Sequence, residues 1–428
     1  MTDIEITRII SFKKTEIISI GTEITSGQNL DTNSQWLSQR LAEIGIPVDF
    51  HTSVADDMDD NLDVFRTAVR RAHLILATGG LGPTLDDLTR EVLAQVAGAE
   101  LVFHEPSWQH IQALFAKRFR HLPERNRVQA MLPAGAEAID NPIGTAPGVW
   151  MKIGETVIAA MPGVPNEMYR MFKEQICPRL LALGLGGGMI IQRKINTFGA
   201  GESAVEEKLK DITRRGAVPE VGITASDAVI SLRILARAKT AEEAKALYEP
   251  VEKIIRERLG NLVYGVDNEE LHEVAMRLLA EKKLTVATAE SMTAGLVAHS
   301  LSRIPGASNY LRGGIVCYDS RVKVEQVGVP EALIQVHTAV SAEVAEALAV
   351  GVREKLHADL GVSAVGYAGP DADGPEKPVG TTFVGVAWNG GSKTHKFVWP
   401  GNRNEIQTRA TKMALNALRL HLLGEKAG

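Results

Sequence analysis

Cysteine is nearly missing from this sequence: Cys177 and Cys317 are its only two, far apart and in apolar surroundings. That excludes a disulfide framework and fits a reducing cytoplasm, which is the expected compartment. No apolar run approaches the length of a membrane span and the N-terminus lacks a signal-peptide core, so no membrane partner is expected. Basic residues are not in excess: 47 Lys and Arg against 52 Asp and Glu give a formal charge of −5. A nucleic-acid binder relying on bulk electrostatics is therefore not expected, although a local basic patch stays open. The 11 histidines show no His-Glu-x-x-His pairing, which argues against a histidine-based zinc site.

What is present is enough chain for two or three domains, since 428 residues exceed what one core holds. The chain is organised around the stretch from Leu74 to Thr89. Leu74 to Ala77 reads as a buried strand, Gly79, Gly80 and Gly82 as a turn, and Leu85, Leu88, Val92, Leu93 and Val96 as the periodic face of a helix closed by Gly98. A glycine turn leading into a helix N-terminus offers unpaired N–H groups to an anion. The glycine spacing is neither that of a Walker loop nor that of the dinucleotide fingerprint. Asp86 and Asp87 would repel a phosphate there unless a divalent cation lay between, so the loop hints at phosphate plus metal. The alternative is a capping box from Thr84 to Asp87.

Strands alternate with helices through the first part of the chain. Strands are expected at Glu16–Ile20, Val48–Thr52 and Thr156–Ala160, and helices after the caps of Asp31-Thr-Asn-Ser34 and over Asn61–Ala72. This pattern implies a parallel, doubly wound sheet, in which ligands sit beyond the carboxyl ends of strands. Gly21-Thr-Glu23, the Gly79–Asp87 loop and Met161–Met168 all follow strands and can converge on one pocket; each alone also reads as a turn. Gly184–Gly188 is the clearest linker signal. Beyond it, strands at Ile190–Phe198 and Val229–Ala238 with helices at Ser203–Leu209 and Ala241–Leu259 describe a small α+β unit. Arg214, Arg215, Arg233 and Arg237 could suggest RNA, but no basic Gly-x-x-Gly loop accompanies them, and a structural role is expected. In the last third, the strand Leu284–Thr288 leads into Ala289–Gly295 and a helix running to Leu301. Ser291, at that junction, is placed as a nucleophile would be, or as a plain helix cap, a role Thr293 could share. A buried strand is expected to end at Tyr318. Lys323 beyond it reads either as a desolvated base for Ser291 or as a surface charge.

Several of these segments carry a resemblance. Gly21-Thr-Glu23, Asp31-Thr-Asn33, Gly79–Asp87, Gly144–Gly148 and Met161–Met168 together resemble the molybdopterin-binding-like domain of the competence/damage-inducible CinA family. The resemblance implies a metal-dependent pyrophosphatase acting on ADP-ribose and similar nucleotides, molybdopterin binding being the older analogy. Carried across, Gly21, Thr22, Asn33, Gly79, Gly80, Gly82 and Thr84 would bind the nucleotide, and Glu23, Asp86 and Asp87 would hold a divalent ion (Mg, Mn or Co type), with Asp86 or Asp87 orienting water. The middle segment resembles a KH-type module of the same family. Glu290–Gly295, Gly313–Tyr318 with Lys323, Ala339-Val-Ser341, Ala368-Gly-Pro370 and Pro375–Thr381 resemble the nicotinamide-nucleotide amidase domain, which converts NMN to nicotinate mononucleotide and ammonia. There the resemblance makes Ser291 the nucleophile, Lys323 its proton acceptor and Tyr318 an assistant, with Thr293, Gly369 and Arg403 on the substrate. No cofactor is implied for this half.

The implied fold class is α/β: a doubly wound molybdopterin-binding-like domain (15–183) after a lead-in (1–14), a KH-like α+β middle domain (184–264) and an α/β amidase-like domain (265–428). A pyridine-nucleotide salvage hydrolase is expected, forming a homodimer, with small nucleotides rather than nucleic acid as partners. A non-catalytic nucleotide- or pterin-binding scaffold and a competence accessory protein are the alternatives. Departures from the family pattern fall at Met292, at Ala294 and Thr338, where the family usually has glycine, at Val365, Asp371 and Asp373, and at Gln407, near which an arginine is usual. They put the pocket around Ser291, and with it the amidase activity, in question.

Overall fold

The computed structural model describes residues 14–118, 121–214, 216–372, 374 and 376–424. The lead-in before Lys14, Arg215 and Asp373 lie outside the described residues. The chain divides into two compact units, Met1–Ile191 with Ala236–Ala246 and Gln192–Leu235 with Leu247–Gly428.

The first unit is built on β1 (Thr15–Ile20), β2 (Phe50–Val54), β3 (Leu74–Thr78), β4 (Leu101–Phe103), β5 (Met131–Pro133), β6 (Glu137–Ile139), β7 (Gly148–Ile153) and β8 (Thr156–Met161). Six of them form a sheet in the order β2-β1-β3-β8-β7-β6, in which β2, β1, β3 and β8 run parallel and β7 is antiparallel to both its neighbours. Every residue of β1 and β3 is buried, because both sheet faces are covered. Ile18, Ile75 and Ile158 enter a core with Phe65 and Val92, while their neighbours Ile17, Leu74 and Leu76 enter another with Leu37, Leu41, Met168 and Phe172. The expected doubly wound sheet is therefore present. Asp31 caps the helix Thr32–Glu43 by accepting from Ser34 N–H at 2.9 Å, and Pro165 opens the helix Pro165–Met171. Gly187 N–H donates to Ile44 C=O at 3.3 Å, and a Cβ at Gly45 would meet Gly188 C at 2.8 Å. The glycine run thus serves close backbone approach as well as flexibility.

In the second unit the middle segment forms a four-stranded sheet of β9 (Met189–Phe198), β10 (Glu220–Ser226), β11 (Val229–Ala238) and β12 (Val263–Val266), in the order β10-β11-β9-β12. Ile195, Val205, Leu209, Leu232, Ile234 and Ile255 make its core. β10 escaped the sequence reading because only Val221 of its seven residues is buried, and β12 because it is four residues long. The last sheet comprises β13 (Val286–Glu290), β14 (Leu311–Val316), β15 (Leu360–Gly366), β16 (Thr381–Trp388) and β17 (Gly391–Val398), in the order β14-β13-β15-β16-β17. β14, β13 and β15 are parallel; β16 and β17 continue antiparallel. β14 is an edge strand without a fully buried residue, not the buried strand expected, since nothing pairs with its outer side. Among the described residues no helix is long and apolar enough to cross a membrane.

Candidate functional site

The carboxyl ends of β1, β3 and β8 deliver Gly21, Gly79 and Pro162 to one cavity of about 440 Å³. Gly21, Glu23, Gly79, Gly80, Gly82, Thr84, Asp86 and Asp87, separated in sequence, all line it. Glycine is enforced at the loop: a Cβ on Gly79 would lie 2.2 Å from Ile20 O, and one on Gly80 2.3 Å from Thr89 Oγ1. Two expectations are corrected here. The helix begins at Thr89, not beside Thr84, and Leu85 is 95 % exposed instead of facing the core. Asp87 is the cause. Its carboxylate accepts from Gly82 N–H at 2.7 Å, Thr84 N–H at 2.8 Å and Thr84 Oγ1 at 2.5 Å, folding the loop back on itself. The buried Arg90 clamps the loop from below, donating to Leu81 and Gly82 carbonyls at 2.6 and 2.8 Å. The amide cradle is thus partly filled from within. Gly80 and Leu81 keep N–H groups with no hydrogen bond among the described residues.

Thr22 and Asn33 do not line the cavity. Thr22 gives its N–H and hydroxyl to Asp56, both at 2.8 Å, and Asn33 donates to Gly163 O at 2.8 Å. Asp56, Gln129, Thr145 and Glu167 line it and were not assigned from sequence. Asp56 follows β2, and Thr145 and Glu167 lie within the quoted Gly144–Gly148 and Met161–Met168 segments, so strand-end position was the available signal. The lining carries five carboxylates, Glu23, Asp56, Asp86, Asp87 and Glu167, and no lysine, arginine or histidine.

In the second unit Ser291 follows β13 directly, 8 % exposed, and Lys323 is 2 % exposed. Lys323 Nζ donates to Ser291 Oγ at 3.3 Å and to the Cys317 and Tyr318 carbonyls at 2.9 and 3.0 Å. Burial holds this amine below its ordinary pKa. The surface-charge alternative is thereby removed. Tyr318 touches Lys323 through its carbonyl only; its half-exposed ring carries a hydroxyl that accepts from Arg403, whose other nitrogen donates to Gly369 O at 2.6 Å. Tyr318, Gly369 and Arg403 therefore meet as a group. Thr293 is fully buried with an unpartnered hydroxyl.

The helix after Ser291 starts at Leu296, and its amides are not available to a ligand. Glu290, buried and in the chain next to Ser291, accepts from the N–H groups of Gly295, Val297 and Ala298 at 3.0, 2.9 and 2.8 Å and from Thr288 Oγ1 at 3.1 Å. Only the Met292 and Thr293 amides of this turn lack a hydrogen bond among the described residues.

Family models match nearly the whole chain in three consecutive segments: "Probable molybdopterin binding domain" over residues 16–182, "Damage-inducible protein CinA KH domain" over 192–265 and "CinA C-terminal domain" over 268–422. The CinA-like protein of Dictyoglomus thermophilum is 42% identical over 408 residues, covering 95% of this chain and 99% of that protein. This chain belongs to the CinA family. Among solved structures, the CinA protein of Thermoplasma acidophilum is 32% identical, covering 39% of this chain and 97% of that one with a TM-score of 0.37. The competence/damage inducible protein CihA of Agrobacterium tumefaciens is also 32% identical, covering 36% and 95% with a TM-score of 0.34.

Within this CinA-family chain the departures from the family pattern have structural meaning. Ala294 has φ 50° and Thr338 φ 66° with ψ 165°, both at positions where the resemblance leads one to expect glycine. The Thr338 conformation is one that β-branched residues rarely tolerate. Relief of that strain should outweigh the two hydrogen bonds of Thr338 Oγ1, one accepted from Lys377 Nζ at 2.8 Å and one donated to Val340 O at 3.3 Å. Thr338→Gly is expected to stabilise the fold by about 1 kcal/mol, raising the midpoint of its calorimetric transition by about 2–4 °C. A lowered midpoint would overturn this. Gln407, where an arginine was expected, instead donates from Nε2 to Met292 O at 2.6 Å and so pins the Ser291 turn.

Proposed function

We propose that this CinA-family protein is a pyridine-nucleotide hydrolase whose Ser291 centre removes ammonia from NMN. The observation that carries this reading is the buried Ser291–Lys323 pair. With the amine neutral, its two N–H bonds stay on the Cys317 and Tyr318 carbonyls, and its lone pair is left for the Ser291 hydroxyl. Ser291 Oγ would bond to the carboxamide carbon as its proton passes to Nζ. The C–N bond then breaks, that proton leaves with nitrogen as ammonia, and water hydrolyses the ester to the carboxylate. The free Met292 and Thr293 amides and the Thr293 hydroxyl are the donors nearest in the chain for the oxyanion, and Arg403 is the cation for the phosphate. The test is ammonia release from NMN by the full-length protein with Ser291→Ala as control. Equal rates in the two would refute the assignment.

For the first unit the reading is hydrolysis of ADP-ribose-type pyrophosphates with a divalent ion. Its support is the charge of the cavity, five carboxylates and no base, which repels a pyrophosphate unless a cation intervenes. Among the described residues no three His, Cys, Asp or Glu side chains converge as a ligand set, so Glu23, Asp86 and Asp87 are not gathered on one ion as expected. When bound, such an ion would polarise the phosphoryl group and acidify its water. Asp86, exposed and without a hydrogen bond among the described residues, is the residue to hold it, with Glu23; Asp87 keeps the loop closed. Asp86→Ala is expected to slow AMP formation from ADP-ribose by about 100-fold with thermal stability unchanged. Asp87→Ala should lower both, because two loop amides lose their acceptor at about 1–3 kcal/mol each. Activity assays with added Mg²⁺ or Mn²⁺, paired with thermal melts, separate the two roles. An Asp86→Ala protein with the parent's rate would overturn this one.

A further inference from the structure

A second cavity, of about 600 Å³, lies in the second unit between the middle sheet and the helices Leu296–Ser302 and Arg403–Leu422. It shares no lining residue with the Ser291–Lys323 pair. Three carboxylates line it, and two are paired with cations outside the lining. Asp267 is paired with Arg193 and Glu269 with Arg277, whereas Glu270, in the capping box of the helix Leu271–Lys282, keeps its charge beside Lys412. Three cations also line it, Lys194, Arg303 and Lys412, and none forms an ion pair among the described residues. Lys412 is half-buried, and its Nζ gives one hydrogen bond, to Asp227 O at 3.0 Å, leaving two donors unused. With Asp267 and Glu269 paired outside the lining, three cations face one carboxylate, Glu270, and the field inside is positive.

Two largely buried polar side chains also line this space without a hydrogen bond among the described residues. Tyr264 is 9 % exposed and its hydroxyl has no hydrogen bond among the described residues. His272 is 5 % exposed, and its nearest polar contact is Glu270 Oε2, 3.6 Å from Nδ1 and too long for a hydrogen bond. Neither polar group is sealed from solvent, so both are open to a partner that enters the cavity. The remaining wall is apolar, supplied by Val229, Leu271, Leu296 and Leu415. Volume, apolar wall and a few convergent polar groups are those of a small-molecule site.

We propose that this cavity is a second ligand site, taking a mononucleotide-type phosphate: a flat heterocycle against the leucines and Tyr264, and a phosphate monoester between Lys194, Arg303 and Lys412. An anion answers the three unpaired cations, and a heteroaromatic ring with polar edges answers Tyr264, His272 and the leucine wall together, which inorganic phosphate alone does not.

The probe is AMP, used with the full-length chain in equilibrium dialysis, and 8-azido-AMP for photolabelling followed by peptide mapping. The expected result is label on peptides containing Tyr264 or Thr408, competed by AMP and only weakly by inorganic phosphate. The Lys194→Gln/Lys412→Gln double variant should lose this label and bind AMP there at least tenfold more weakly, while label on the Gly79–Asp87 peptide stays as in the parent. Tyr264→Phe, which keeps the ring, should fold normally and weaken binding by about threefold to tenfold, the loss of one hydrogen bond. Label confined to the Gly79–Asp87 or Glu290–Gly295 peptides, or unchanged binding in the double variant, would overturn the proposal. Equal competition by inorganic phosphate would overturn the heterocycle part and leave only an anion site. Because the readout is location of label, its failure is distinguishable from failure of the amidase reading.

Discussion

Replacing Lys323 by methionine is expected to lower ammonia release from NMN at least about 1,000-fold, with Ser291→Ala losing as much and the double variant no more. The equality follows from geometry. Ser291 Oγ has Lys323 Nζ as its bonded neighbour, so neither residue acts without the other. Methionine fills nearly the same buried volume without charge, which keeps the loss from being one of folding. The two carbonyls it abandons cost about 1–3 kcal/mol each, and a circular-dichroism melt measures that separately. Lys323→Arg is the sharper control: it preserves the positive charge but cannot give up its proton, so it should be as inactive as methionine. The base must be neutral to accept, so rate should rise with pH through the amine's pKa and then level. Because burial lowers that pKa, the plateau should begin below the ordinary lysine value of about 10.4. Cys317 is no substitute nucleophile. It is fully buried, and desolvation pushes its thiol up to about 11, so it stays protonated where the assay runs. A Lys323→Met protein keeping a tenth or more of the parent rate would sink the assignment.

The sequence carried the architecture well where pattern and packing agree. β1 and β3 carry the apolar runs Ile17-Ile18 and Leu74–Ala77 at their buried centres, the caps at Asp31 and Pro165 sit where the helices begin, and Ala241–Leu259 is a helix over the residues expected. It also brought together Ser291 and Lys323, 32 residues apart, although only coordinates could show the 3.3 Å between them. What stayed hidden was the direction of carboxylates. Asp87 looks in sequence like an acid at a helix N-terminus, available to metal, and Glu290 has no role of its own there. Both turn inward and consume the amides that were expected to receive a nucleotide. Pattern reading gives a side chain's face, not its hydrogen-bond partners. Asp56 and Glu167 were missed for a related reason: single acids in turn-rich loops carry no periodicity, and only the convergence of strand ends gives them a common target.

Glu290 yields the other large effect. Truncation to alanine would leave four donors facing a void: the N–H groups of Gly295, Val297 and Ala298 and the Thr288 hydroxyl. At about 1–3 kcal/mol for each buried donor left unpaired, the sum rivals the whole stability of a typical domain, about 5–15 kcal/mol. Glu290→Ala is therefore expected to unfold the C-terminal sheet or to leave it molten, seen as loss of the cooperative melt. Glu290→Gln is the informative variant. Its carbonyl oxygen can keep one side of the network, but its amide NH₂ must then point at N–H donors, so the turn carrying Ser291 shifts while the sheet survives. The expectation is a folded protein with a lower melting midpoint, unchanged affinity for NMN and a turnover reduced by about 100-fold or more, since sub-ångström misplacement of a nucleophile is costly. A direct role for Glu290 as the proton acceptor is ruled out by the same contacts: both oxygens already receive donors, and neither is bonded to Ser291. The pH profile discriminates. Glu290→Gln should keep the profile set by the Lys323 amine at reduced height, because the proton acceptor is still present. A profile that loses its rise with pH would transfer the base role from Lys323 to Glu290. Parent-like stability together with parent-like turnover would show that the carboxylate holds nothing in place.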